Sequence, residues 1–384
     1  MLAIAVAGRI ASAPMRILYG VVGEGMGHAM RSRVVIDHLT GAHEVQVVVS
    51  GRAHDYLKAR ESDRLGVNKI WGLTIVYEDN EVQNFRTVLH NVAGAVTGGW
   101  PRNVRAYFDL AEQFRPDVVV SDFESWSYLF ARTHGLPVIS LDNMQILSRC
   151  ALPAAVLQGH ELDFQLARAL VAAKLPGCFH YLITTFFQLP VRKPRTSLHP
   201  PVIRPEILAA PREAGEHLLV YQTSESDAGL PALLTRCGHE CRIYGLRRDL
   251  RAEVVEGNLR FRPFSERTFV EDLRTARAVI ANGGFTTLSE AVYLHKPLLS
   301  SPVRKQFEQV LNARILEAEG YGLAVDGELS EARLREFLAR VPDFARKLSG
   351  YSQDGNRKML GALDDLLTIA ANGSGEVVVP EEDA

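Results

Sequence analysis

The amino-acid sequence predicts an α/β chain of two doubly wound domains facing a cleft, and three observations lead there. The chain has 384 residues, more than one ordinary domain of roughly 100 to 200 residues. Short β-branched runs alternate with helical stretches, the mark of βαβ units and a parallel sheet. The alternation comes in two series, separated by a segment crowded with proline.

The first series runs Ile17 to Val22, a helix after Gly27, then Val45 to Ser50, Val118 to Ser121 and Pro137 to Leu141. The second runs Leu218 to Tyr221, Cys241 to Tyr244, Leu259 to Arg262, Ala278 to Ala281 and Pro297 to Ser300. Between them Pro190, Pro194, Pro200, Pro201, Pro205 and Pro211 deny helix and central strand and mark a linker. These signals set the expected bounds: an extension over 1–14, domains over 15–188 and 216–350, a linker over 189–215, a terminal helix over 351–372 and a mobile acidic tail over 373–384. The helix follows from the spacing of Met359, Leu360, Leu363, Leu366 and Leu367. In the opening MLAIAVAGRIASAP, Arg9 breaks the apolar stretch and no basic run precedes it, which weighs against a secretory signal. Met15 opens a better strand, and a start there is the alternative.

Composition narrows the function. With 47% hydrophobic and 23% charged residues, the chain reads as soluble and globular. No run reaches the roughly 18 apolar residues of a membrane span. The balance of 43 Lys plus Arg against 45 Asp plus Glu, net −2, gives no global field for nucleic acid. Four cysteines are too few for a disulfide scaffold and fit a reducing cytoplasm. Cys237-Gly-His-Glu-Cys241 lacks metal-clip spacing and a second pair, so both thiols read as structural and no metal is expected.

The first strand runs into Gly23-Glu-Gly25-Met-Gly27-His28, where glycines allow a tight turn and close approach of a ligand. The third glycine is misplaced for a dinucleotide site, and the second strand ends in Ser50-Gly51-Arg52 rather than an acid; Arg52 leaves NADP as an alternative. His28 sits near the start of the next helix, at the sheet edge where ligands bind. Asp122 follows the strand Val118 to Ser121 and emerges from the same edge. An imidazole oriented by a carboxylate can act as general base. The alternative is that His28 packs on the loop and Asp122 caps a helix.

A second site follows strand Ala278 to Ala281. Asn282-Gly283-Gly284 leads into a helix expected to start near Thr286 or Thr287, whose free N–H groups suit a diphosphate. Glu290 lies one turn in, where a carboxylate can accept from both ribose hydroxyls. Thr287-Leu-Ser-Glu290 also matches a capping box, the structural alternative.

Gly284, Thr286, Glu290-Ala291, Lys296-Pro297 and Glu308-Gln309-Val-Leu-Asn312-Ala313 follow in order. In this pattern the chain resembles the inverting glycosyltransferases of families 1 and 28. These have the GT-B architecture of two Rossmann-like domains and include peptidoglycan-precursor N-acetylglucosaminyltransferases and plant-type UDP-sugar transferases. The resemblance is densest over about residues 258 to 323. It implies an acceptor-binding domain before the linker and a nucleotide-sugar donor domain after it. It further implies that Gly284 and Thr286 hold the diphosphate, Glu290 the ribose, and Glu308 and Gln309 the sugar hydroxyls, with backbone at Phe264 and Ser265 holding the base. His28 matches the family's glycine-loop histidine and Asp122 its carboxylate partner. Asn282 replaces the family's frequent His or Arg, which leaves phosphate charge to other residues such as Arg304 or Lys305.

Retaining relatives show E-x7-E spacing ending at the counterpart of Glu290; positions 282 and 283 are Asn and Gly here, which favours inversion. A nonhydrolysing NDP-sugar epimerase and a noncatalytic sugar-nucleotide or glycan-binding module are the rival functions. No cofactor is expected, since the nucleotide sugar is itself a substrate. The acceptor stays open among a glycan, a lipid-linked intermediate and a small molecule. The apolar stretch from Met144 to Phe187, with Arg149, Arg168 and Lys174 interspersed, reads either as peripheral contact with a membrane face or as a helix packed in its domain.

Overall fold

The computed structural model describes residues 14–23, 25–72, 77–78, 81–82, 100–222, 229–303 and 306–373. The expected extension up to 13, the tail beyond 373, and Arg304 and Lys305 lie outside the described residues.

In the first domain the strands are β1 (Arg16–Val21), β2 (Glu44–Val49), β3 (Leu65–Lys69), a small antiparallel pair β4 (Tyr77–Glu78) and β5 (Glu81–Val82), then β6 (Val118–Asp122), β7 (Val138–Asp142), β8 (His180–Thr184) and β9 (Thr196–His199). Seven of them form a sheet in the order β3-β2-β1-β6-β7-β8-β9, parallel throughout. The Val- and Ile-rich runs suit strands buried on both faces. Leu18 and Val119 face one core, and Ile17, Val118 and Val120 face the other.

The second domain holds β10 (Leu218–Tyr221), β11 (Cys241–Tyr244), β12 (Val254–Glu256), β13 (Leu259–Phe261), β14 (Ala278–Ala281), β15 (Leu298–Ser300) and β16 (Gly322–Ala324). Their order is β12-β13-β11-β10-β14-β15-β16, with β12 alone antiparallel to its neighbour. Strand order reverses between β1 and β6 and between β10 and β14, and such switch points open ligand crevices at the carboxyl ends of the strands. This is the GT-B arrangement of two Rossmann-like domains.

Two segments differ from the sequence expectation. The proline-rich segment carries structure: Thr196–His199 adds the edge strand β9, parallel to β8, and Pro205 opens a short helix, Pro205–Leu208. β9 itself holds no proline and lies between Pro194 and Pro200, while Pro205 stands in the first helical turn, a position that proline tolerates. The apolar stretch from 144 to 187 is not one amphipathic helix, because it ends in β8. Its longest helix, Glu161–Lys174, buries Phe164 and Val171 while Leu162, Leu166 and Leu170 stand exposed in a row. Among the described residues no helix is long and apolar enough to cross a membrane.

The last helix, Arg357–Asn372, returns to the first domain, where Met359, Leu363, Leu367 and Ala370 join the core under β1 and β6. Full burial of a Met or Leu side chain is worth about 1.5–3 kcal/mol, so this stripe fastens the last helix to the first domain. Asn356, at φ 76°, precedes the helix in a conformation that Asn tolerates. Its amide donates to Ile203 O at 2.7 Å and accepts from Ile203 N at 2.8 Å, pinning the two crossovers together.

Candidate active site

The β1 strand ends at the glycine loop. Gly25 has φ 79° and precedes the Met26–Leu39 helix, with no side chain capping it. Gly23 packs on Ser50, where an added Cβ would lie 2.4 Å from the Ser50 carbonyl oxygen. His28 occupies the first turn of that helix. Val21 pairs with Asp122 in the β1–β6 register, so the histidine and the carboxylate leave the sheet side by side.

His28 Nδ1 lies 2.8 Å from Asp122 Oδ1. Asp122 is wholly buried and also accepts from Ser32 Oγ at 2.8 Å and Arg31 Nε at 2.9 Å on Oδ2, while Arg31 Nη2 reaches Oδ1. Burial pushes this carboxyl upward, but the Arg31 charge and the His28 contact outweigh it and hold it well below the usual carboxylate range. An ionised Asp122 is an acceptor only, so the imidazole proton sits on Nδ1 and Nε2 keeps its lone pair. Arg31 Nη2 also lies 2.7 Å from His28 Nδ1; with both nitrogens carrying protons, that is a proximity of charge rather than a bond. Burial, then Arg31, lower the His28 pKa, with Asp122 opposing them. A neutral ring at neutral pH is the outcome.

In the second domain β14 leads to Asn282, whose amide donates to Ser301 O at 3.0 Å. The helix Phe285–Tyr293 starts directly after Gly284, leaving its first N–H groups without a side-chain cap. Thr286 and Thr287 are half-buried in its first turn. Since the helix begins at Phe285, Thr287 is not its cap, and the capping-box alternative does not form. Instead both Glu290 oxygens accept from Arg204, at 2.6 and 2.8 Å. Arg204 also donates to Glu266 at 2.9 Å, and Arg33 from the first domain reaches Glu266 and Glu206.

The two halves meet. An added Cβ on Gly27 would lie 2.8 Å from Thr286 Oγ1, so two uncapped helix starts face one another. Asn143, just past β7, accepts from Arg31 Nη1 at 2.5 Å and donates to Glu308 Oε1 at 2.8 Å. Asn312 donates to the same Glu308 oxygen at 2.8 Å and to Gly283 O at 3.0 Å. Burial raises the Glu308 pKa against the pull of Asn312 and Asn143.

Gln309 has a task the resemblance does not imply. Its Oε1 accepts from Gly283 N at 3.2 Å and Val303 N at 3.0 Å, and its Nε2 donates to Gln306, so its amide holds the turn at Gly283 that precedes the Phe285–Tyr293 helix. Ser265 caps the Glu266–Arg274 helix. Phe264 is 55% exposed beside Tyr244 and Phe269. A cavity of about 610 Å³ lies between the domains, walled by His160, Gln306, Arg314 and Arg333 among others. Its arginines are already paired, Arg314 with Asp326 and Arg333 with Glu317, which makes it a poor phosphate grip.

Sequence reasoning missed Arg31, Asn143 and Arg204. Asn143 carried a usable signal, a polar residue at the carboxyl end of a predicted strand next to that of Asp122. Arg31 lay one helical turn from His28, on the same face. Arg204 carried none, because it sits in the segment read as a linker.

The profile of the family described as glycosyl transferase family 1 matches residues 15–342. An uncharacterized glycosyltransferase of Methanosarcina acetivorans is 23% identical over 332 residues, covering 80% of this chain and 83% of that protein. Another, of Methanosarcina mazei, is 25% identical over 340 residues, covering 80% and 85%. Among solved structures, a UDP-glucosyltransferase from Polygonum tinctorium superposes with TM-score 0.66 at 13% identity, covering 94% of this chain and 99% of that one. Acinetobacter baumannii MurG gives 0.57 at 13%, covering 92% and 100%.

Proposed function

The chain belongs to glycosyl transferase family 1, and from that premise we propose that it is an inverting enzyme, moving a sugar from a UDP-sugar to an acceptor hydroxyl with His28 as general base. The observation that carries this reading is the meeting of a His–Asp pair, its carboxylate wholly buried, and an uncapped helix start at Gly27 and Thr286. His28 Nε2 takes the acceptor proton, and the freed electron pair forms the new bond at the anomeric carbon. The bond from that carbon to the diphosphate breaks with its pair, and the charge that develops is met by the N–H groups at the start of the Phe285–Tyr293 helix. Asp122 stabilises the imidazolium. The scheme asks for no metal. That UDP is the nucleotide is supported by the similarity in fold to a solved structure described as a UDP-glucosyltransferase.

The test is release of UDP by the pure protein from UDP-sugars, with and without cell-extract acceptors. Acceptor-dependent release is expected. Donor isomerised without acceptor would point to an epimerase, and saturable UDP binding without turnover to a binding module; either sinks the proposal.

Gly284 gives a sharper check. Its φ is −65° and an added Cβ would meet no atom of the described residues within 4 Å, so neither backbone nor described packing demands glycine there. The space it leaves suits the donor. Gly284→Ala is expected to melt like wild type while raising the donor KM about tenfold, a loss of roughly 1.4 kcal/mol. An unchanged KM would move the diphosphate elsewhere.

A lipid-linked acceptor would find an apolar surface in the exposed row Leu162, Leu166 and Leu170. Flotation with anionic liposomes at low salt checks this, and no binding removes it.

A further inference from the structure

The reading of His28 as base leaves one buried cation beside it without a task, and a route from it into the other domain. Arg31 is 3% exposed and uses three nitrogens: Nε and Nη2 on Asp122, Nη1 on Asn143. The Asn143 amide is engaged at both ends, its oxygen facing the guanidinium and its nitrogen facing Glu308. Reversed, it would set N–H against N–H on one side and oxygen against oxygen on the other, so the network fixes its orientation. Glu308 in turn shares Asn312 with the Gly283 carbonyl. The bonded chain therefore runs from the base, across the cleft, to the loop that precedes the donor-binding helix.

We propose that Arg31 and Asn143 are positioning residues that couple the base to the donor domain: Arg31 clamps Asp122 beside His28, and Asn143 ties Arg31 to Glu308 across the cleft. The proposal rests on His28 being the base. When the domains stand together, Glu308 holds the Asn143 amide, and the amide holds the guanidinium against the His–Asp pair. When they part, the amide loses its outer partner Glu308 and its orientation is held only by Arg31 within the first domain.

The charged and titratable groups around the pair come from several elements. His28 faces Arg31 on its own helix, Asp122 at the end of β6, and Lys174 on the Glu161–Lys174 helix. Arg31 additionally faces Asp142 at the end of β7 and Tyr19 in β1, and its charge reaches Glu308. Arg31 and Lys174 disfavour the imidazolium and Asp122 favours it. A base is active when neutral, so a depressed imidazole pKa keeps it working at lower pH. Removing the Arg31 charge lets that pKa rise.

The experiment is the pH profile of kcat/KM for acceptor-dependent UDP release in wild type, Arg31→Gln and Asn143→Ala, with thermal melts alongside. The wild-type acid limb is expected below the ordinary imidazole value of about 6.5. In Arg31→Gln it is expected to move up by about 1 pH unit. Asn143→Ala removes no charge and is expected to move it in the same direction by less. If Arg31→Gln does not fold, Asn143→Ala decides alone. An acid limb that stays at the wild-type pH in the folded variants overturns the coupling. Should His28→Ala itself retain wild-type rates, it is the assignment of the base that fails; if His28→Ala is slow and the limb is fixed, only this inference fails.

Discussion

His28→Ala is expected to slow transfer about 10²–10⁴-fold, the range that a positioned general base contributes, with little change in stability or in affinity for UDP. The structure separates these effects. The His28 side chain is 20% exposed and sits in the first turn of a helix that alanine suits. Its removal does not orphan Asp122, which keeps Arg31 and Ser32. The proposed diphosphate grip, at the start of the Phe285–Tyr293 helix, belongs to the other domain and is untouched. Turnover by UDP release and UDP affinity by calorimetry check both halves. A rate within a few-fold of wild type would remove His28 from the chemistry.

Arg204→Ala is expected to cost about 3–5 kcal/mol of stability, the usual price of leaving one partner of a buried ion pair alone. Arg204 and Glu290 are each 2% exposed, and both carboxylate oxygens are bound by the one guanidinium. The second arginine contact, to Glu266, adds little because Glu266 is partly solvated. A denaturation midpoint measures the loss. If the stranded charge is the cause, Arg204→Ala combined with Glu290→Gln recovers most of it. A single variant within about 1 kcal/mol of wild type would show that Glu290 finds water or another partner. The outcome also bears on the donor, since the carboxylate that the family pattern offers to ribose is here fixed in place by a linker residue.

The site was legible in the sequence wherever function coincides with a strand end. β1 and β6 are apolar runs closed by glycines in one case and an acid in the other, and the switch-point rule carries His28 and Asp122 to one edge. The pattern around Gly284 was equally readable, yet its local geometry was not. The spacing of Thr287 and Glu290 fits a capping box, and only the helix start at Phe285 shows that Glu290 faces Arg204 instead. Arg204 could not be found, because its partner lies 86 positions away and no periodicity records such a pairing. The apolar stripe of the last helix announced that it packs, while its return to the first sheet is decided by tertiary contacts. β8 was hidden inside an apolar stretch where helix and strand periods overlap.

The most direct measurement of the central claim is the anomeric configuration of the product formed from an α-configured UDP-sugar, read by the one-bond and vicinal couplings of the transferred sugar. Displacement by an acceptor oxygen that His28 has deprotonated inverts the centre, so a β-linked product is expected, together with one UDP released per linkage. An α-linked product would contradict the account.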